Sequence, residues 1–314
     1  MGSITEWGNA IEDEYSKVVI GYEKTMQEIM VGMVAGGHVL LEGVPGVGKT
    51  LIVKTLAQIL GLDFRRIQFT PDLMPTDILG TNIFNTSNGQ FQLRLGPVFT
   101  QFLLADEINR TPPRTQAALL EAMEERQVTI DGESHRLPEP FMVFATQNPV
   151  EYEGTYPLPE AQLDRFMLKI LLGYPSSEEE NRILQLHAQT LADPIRVLDP
   201  LSNGLTRLKE CMQLVKRVRV EDKVIDYINQ IVRSTRTNAQ LTLGVSPRGG
   251  VHLLMAAKAF AAISDRDFVL PDDVKAVVLP VLRHRILLRP EVEMEGFNAD
   301  DVLKQMVAAV AVPR

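Results

Sequence analysis

The sequence predicts an α/β protein: a parallel sheet carrying β-hairpin inserts, followed by a smaller all-α domain. Three observations point there. Up to about Tyr174, short apolar runs alternate with helical patterns, as in a parallel sheet flanked by helices. Two dipeptides of hairpin type, Asn88-Gly89 and Asp131-Gly132, sit inside segments of strict apolar/polar alternation. After Tyr174-Pro175 the apolar spacing becomes helical and stays so to Arg314. The expected division is therefore a core over residues 1–174 and a helical domain over 175–314.

The strand candidates are residues 39–42, 66–69, 102–105, 142–145 and 168–172. Each is short, apolar and bounded by turn residues, as strands buried on both faces should be. The hairpins are expected near 82–96 and 126–138. In the first, Phe91, Leu93 and Leu95 alternate with Gln92 and Arg94; in the second, Val128 and Ile130 alternate with Gln127 and Thr129. Both turns should be type I′, because Asn-Gly and Asp-Gly tolerate positive φ at the two central positions. In the helical half, Ser176 with Glu179 forms a capping-box pattern, and further helix starts fall near Val220-Glu221 and Pro271-Asp272.

With 314 residues, 45% of them hydrophobic and 23% charged, the composition is that of a globular protein with a sizeable core. A net charge of −8 argues against a broad nucleic-acid footprint, though a locally basic channel in an oligomer is compatible with it. Cys211 is the only cysteine, so no intramolecular disulfide can form, which fits a reducing compartment. The polar, acidic N-terminus lacks a signal-peptide pattern. The longest uncharged stretch, residues 29–41, falls short of the roughly 20 apolar residues that span a bilayer. A cytoplasmic protein without a membrane segment is expected.

Gly43-Val44-Pro45-Gly46-Val47-Gly48-Lys49-Thr50 fits G-x-x-x-x-G-K-[ST] at every position, with a strand before it and a helix from Leu51 after it. Glycines let the backbone curl so that consecutive N–H groups face phosphate oxygens, at a helix N-terminus whose dipole favours anions. The loop and the Leu51 that follows should hold ATP, with Lys49 on the β- and γ-phosphates and the Thr50 hydroxyl on Mg²⁺. Downstream, the apolar run 102–105 delivers Asp106-Glu107 to a strand's C-terminal end, where α/β sheets bind ligands. Asp106 is the expected Mg²⁺ partner and Glu107 the base that polarises the attacking water.

Longer blocks are more specific than the loop alone. Asp106-Glu107-Ile108-Asn109-Arg110, the run Gln116-Ala117-Ala118-Leu119-Leu120-Glu121-Ala122-Met123-Glu124-Glu125, Ala145-Thr146-Gln147-Asn148-Pro149, and the segment from Gly154-Thr155-Tyr156 to Asp164-Arg165-Phe166 closely resemble the MoxR family of AAA+ ATPases. The match extends from about Val19 to Gly250. The resemblance implies an αβα nucleotide-binding core with a helical lid, assembled as a ring, typically a hexamer, with ATP at subunit interfaces. It implies that the hairpins are the clade's helix-2 and pre-sensor-1 inserts. Asn148 resembles the sensor-1 residue, an Asn-Pro turn being the local alternative. Arg165 resembles the arginine finger that reaches the neighbouring subunit's ATP, against a surface pair with Asp164. Arg248 resembles the sensor-2 arginine of the lid, against a solvated arginine near a helix start. Val19-Ile20-Gly21, ahead of what reads as the first helix, resembles the adenine-contacting segment, and Arg110 is a further interface candidate. Glu124 and Glu125 read as part of a solvated acidic face.

By the same resemblance the chain is expected to remodel a client or partner protein in a chaperone-like way, or to load its metal, with von Willebrand factor A domain proteins the expected partners. The alternatives are a nucleotide-gated assembly module with slow hydrolysis and a magnesium-chelatase-like motor subunit. No GAFTGA-like insert precedes Asp106, which argues against an enhancer-binding activator. A DNA translocase is the least supported.

Overall fold

The computed structural model describes residues 4–87, 89–148, 154–189 and 194–313. The strands in chain order are β1 (Val39–Gly43), β2 (Phe64–Gln68), β3 (Gly80–Asn85), β4 (Gln90–Leu95), β5 (Phe102–Asp106) and β6 (Gln127–Ile130). They continue as β7 (Glu133–Arg136), β8 (Met142–Gln147), β9 (Leu168–Leu172), β10 (Leu241–Leu243) and β11 (Leu287–Leu288). Helices of the first half are α1 (Ile4–Tyr15), α2 (Glu23–Ala35), α3 (Lys49–Ile59), α4 (Pro75–Leu79), α5 (Pro113–Glu125) and α6 (Glu160–Leu163). The second half adds α7 (Ser177–Gln189), α8 (Gly204–Arg217), α9 (Asp222–Thr237), α10 (Pro247–Ile263), α11 (Pro271–Leu282), α12 (Pro290–Met294) and α13 (Ala299–Ala309).

Five strands form one parallel sheet in the order β2-β5-β8-β1-β9. The side-chain period of two divides its residues between two cores. Val39, Leu41, Phe102, Leu104, Phe144 and Ile170 face α1 to α3 and the C-terminal helices, while Leu40, Leu103, Ala105, Val143 and Ala145 face α4, α5 and the second hairpin. All five residues of β5 are buried, which explains why the central strands read as unbroken apolar runs. The first core continues from α1 to α13: α8 and α10 of the helical half pack on α2, and α11 packs on the edge strand β9.

Both inserts are two-stranded antiparallel ribbons outside the sheet. The second closes as expected: Ile130 pairs with Glu133, leaving Asp131 (φ 48°) and Gly132 (φ 88°) in a two-residue turn. The first does not. Asn85 pairs with Gln90, so the loop spans 86–89 and is too long for a type I′ turn; Asn88 itself lies outside the described residues.

Three further expectations need correction. β2 runs Phe64–Gln68 rather than 66–69, because it is an edge strand in which the exposed Arg65 interrupts the apolar pattern after Phe64. The segment Val19-Ile20-Gly21 does not precede the first helix: α1 comes before it, burying Ile4, Trp7, Ile11 and Tyr15 along one face. The helical half also contains one small ribbon, β10 against β11. The capping box at Ser176 is present, with the Ser176 N–H donating to Glu179 Oε2 (2.6 Å) and the Glu179 N–H to Ser176 Oγ (3.3 Å).

Candidate active site

The loop between β1 and α3 turns on Gly46 (φ 86°) and Gly48 (φ 84°), left-handed conformations that favour glycine. A Cβ at either position would meet no atom within 4 Å, so the loop surrounds open space at the N-terminus of α3. Lys49 folds across this loop. Its Nζ donates to Gly43 O (2.6 Å), to Gln147 O (3.2 Å) and to Asn148 Oδ1. Asn148 and Lys49 are thus brought together by the pairing of β1 with β8.

The acidic pair sits one strand further over. The Thr50 hydroxyl donates to Asp106 Oδ2 at 3.3 Å, and Arg66 donates to the same oxygen through Nε (2.9 Å) and Nη2 (2.6 Å). Thr146 joins the two acids: its hydroxyl donates to Asp106 Oδ1 (2.6 Å) and accepts from the Glu107 N–H (2.8 Å). Glu107 itself is held at φ 58°, a strained conformation for a side-chain-bearing residue and the kind that concentrates at functional sites. Its carboxylate accepts from Gln68 Nε2 (2.6 Å), Asn148 Nδ2 (3.2 Å) and Arg110 Nε (3.1 Å). Thus Lys49, Asn148, Glu107, Asp106 and Thr50 form one connected cluster at the C-terminal end of the sheet. Arg66, Gln68 and Thr146 were not legible as members. Gln68 stands opposite Asp106 in the β2–β5 register, a neighbour relation that the sequence does not state.

Beside the loop lies a cavity of about 490 Å³, whose walls include Val19, Ile20, Gly46, Val47 and Leu51. Tyr174, Ile183, Leu184 and His187 close its other side from α7 and the segment before it. Its mainly apolar walls suit a purine base, and its mouth adjoins Gly46 and Gly48. The nucleotide therefore fits. Mg²⁺ fits as well: Thr50 and Asp106 offer hard oxygen donors, and this ion takes one or two carboxylates together with phosphate oxygens. No cluster of three or more His, Cys, Asp or Glu able to hold a metal unaided occurs among the described residues.

Arg165 and Arg248 are not in this cluster. β9 runs parallel to β1 with Leu168 opposite Val39 and Leu172 opposite Gly43, so the segment before β9 lies at the N-terminal end of the sheet. There Arg165 Nη1 donates to Leu120 O (2.9 Å) and pairs with Glu124, and Arg248 Nη2 pairs with the other Glu124 oxygen at 2.6 Å. Glu124, exposed on α5 as expected, is also a shared anchor of two arginines. Asp164 does not pair with Arg165. It accepts instead from Arg285 Nε (2.7 Å) and from the hydroxyl of Ser246, the N-cap of α10 (2.9 Å). Burial lowers the Arg285 guanidinium to about 10 even with Asp164 against it. His38 and His252 lie nearby and are kept neutral, lowered to about 3 and about 4 by burial first and then by Arg126 and Arg285 respectively.

A glycine-rich phosphate loop after β1, paired acids ending β5, a polar residue after β8 and a helical C-terminal region define a P-loop ATPase of the AAA+ class. The profile of the ATPase family associated with various cellular activities (AAA) matches residues 38–168, and that of the AAA lid domain residues 233–306. The chain is 48% identical over 309 residues to the uncharacterized protein YeaC of Bacillus subtilis, covering 98% of this chain and 94% of the relative. It is 44% identical to Chaperone MoxR1 of Mycobacterium tuberculosis (96% and 81% covered) and 31% identical to Protein MoxR of Paracoccus denitrificans (93% and 92%). A crystal structure of a Cytophaga hutchinsonii protein assigned as an ATPase superposes with a TM-score of 0.90 at 40% identity, covering 99% of this chain and 97% of that one. The chain belongs to the MoxR family of AAA+ ATPases. No helix among the described residues is long and apolar enough to cross a membrane.

Proposed function

We propose that this MoxR-family ATPase binds and hydrolyses Mg·ATP at the interfaces of a homo-oligomeric ring, typically hexameric, and uses turnover to remodel a partner protein. In this reading residues 43–51 hold the phosphates, Val19, Ile20 and Gly21 border the base, and Thr50 with Asp106 holds the Mg²⁺. Bound there, the ion would screen phosphate charge. Glu107 takes the proton of the attacking water, Asn148 orients that water, and Lys49 steadies the terminal phosphate. The observation that carries the ring is the placement of Arg165 and Arg248 at the sheet end opposite Lys49. Neither arginine is positioned to reach its own chain's phosphate loop, whereas a head-to-tail neighbour would present one. A guanidinium fork suits the terminal phosphate.

The division at residues 174 and 175 then separates a core that binds nucleotide from a lid whose α7 covers the base. The name of the relative Chaperone MoxR1 supports a remodelling role. The family resemblance supports a von Willebrand factor A domain protein as the partner. A pull-down with Glu107→Gln, which should hold ATP without turning it over, tests this: a nucleotide-dependent partner of that domain type is expected, and its absence would remove the partner assignment. One observation favours slow basal turnover: Gln68 and Arg110 already occupy the Glu107 carboxylate. A chain whose ATPase stays negligible with every partner would be a nucleotide-gated assembly module instead.

A further inference from the structure

Glu124 stands on the last turn of α5, where the helix dipole disfavours a carboxylate. What holds it there is a pair of cations. One carboxylate oxygen takes Arg165 Nη1 and the other takes Arg248 Nη2 (2.6 Å), so a single anion holds two guanidinium groups side by side. These residues line a cavity of about 180 Å³ together with Gly37, His38 and His252. The nearby groups do not offset the excess positive charge. Asp164 is committed to Arg285 and Ser246, Arg126 donates to the backbone oxygens of Gly36 and Phe141, and both histidines are neutral. Arg165 Nε–H, itself buried, has no hydrogen-bond partner among the described residues.

We infer that Glu124 is a positioning residue of the arginine half of the interface site: it stands in for the terminal phosphate, sets Arg165 and Arg248 at the spacing of one anion, and yields them when a neighbour's nucleotide arrives. The inference rests on the interface reading proposed above. The exchange runs forward because a terminal phosphate offers more charge and more acceptor oxygens than one carboxylate. No bond is made or broken. All three side chains are about a third exposed or more, so the pairs are weak enough to exchange.

The test is sedimentation velocity across an ATP titration, in a Glu107→Gln background that limits turnover. Adding Glu124→Gln, which keeps the side chain's shape, should lower the ATP concentration at half-assembly by about two- to tenfold. Glu125→Gln removes the same formal charge from an adjacent exposed position and should leave the midpoint unmoved. The shift should also shrink when Arg248→Gln is present, because only the Arg165 pair is then left to release, which a merely structural role for Glu124 would not produce. An unchanged or raised midpoint in Glu124→Gln would overturn the inference while leaving the interface reading intact. A Glu107→Gln reference that fails to assemble with ATP would instead overturn the interface reading, and this inference with it.

Discussion

Lys49 and Arg165 lie at opposite ends of one parallel sheet. Lys49 donates to Gly43 O at the C-terminal end of β1, while Arg165 precedes β9, whose Leu168 pairs with Val39 at the N-terminal end. A five-residue strand separates those ends by about 13 Å. The protein's two main candidates for contact with the terminal phosphate therefore face away from each other within one chain.

The phosphate loop carries the first prediction. Lys49→Ala removes the cation that Asn148 and the loop hold in place, and nucleotide binding should fall below detection by calorimetry. Unchanged affinity would remove the loop from the site.

Glu107→Gln keeps the side chain's length and its contacts with Gln68 and Asn148 in reach, but cannot accept a proton. Hydrolysis should drop by at least about a hundredfold while ATP binding persists. A phosphate-release assay at wild-type rate would end the assignment of the base.

The buried pair behind Arg165 is a stability element. Arg285→Met leaves Asp164 without its ion-pair partner and should cost about 3–5 kcal/mol, read as a lower urea midpoint. A cost below 1 kcal/mol would show that water or Ser246 satisfies Asp164 alone.

Acid should destabilise the fold through its buried histidines. His38 and His252 are lowered to about 3 and about 4, and His284 well below its usual value, in each case chiefly by burial. Between those values and the unfolded value near 6.5, the unfolded chain binds more protons. Stability is thus full above the unfolded pKa and falls as pH drops through it, by up to about 1.4 kcal/mol per pH unit for each histidine. The melting temperature should fall from pH 7 to pH 5, and His38→Gln, which does not titrate, should lessen the fall. Equal melting temperatures at the two pH values would contradict this.

What was legible in the sequence was what is contiguous in it. The phosphate loop and Asp106-Glu107 each carry their chemistry in adjacent residues, and the central strands are apolar runs because both their faces are buried. Edges were harder. Arg65 hid the start of β2 at Phe64, and the charged residues of α1 masked the helical spacing of Ile4, Trp7, Ile11 and Tyr15. Pairings across the fold left no local trace. Asp164 is separated from Arg285 by 121 positions, and nothing near Glu124 says that Arg248, 124 positions on, will reach it. Likewise Gln68 becomes a neighbour of Glu107 only once β2 is placed beside β5.

The measurement that bears most directly on the interface site is complementation. Lys49→Ala should be inactive for want of bound nucleotide, and Arg165→Ala for want of a cation on its neighbour's phosphate. Mixed in equal amounts and allowed to assemble with ATP, the two should recover partial ATPase activity, because a Lys49→Ala subunit still offers Arg165 to an Arg165→Ala neighbour that binds ATP. If the mixture stays as inactive as its parts, Arg165 does not act across the interface, and the proposed interface site would be contradicted.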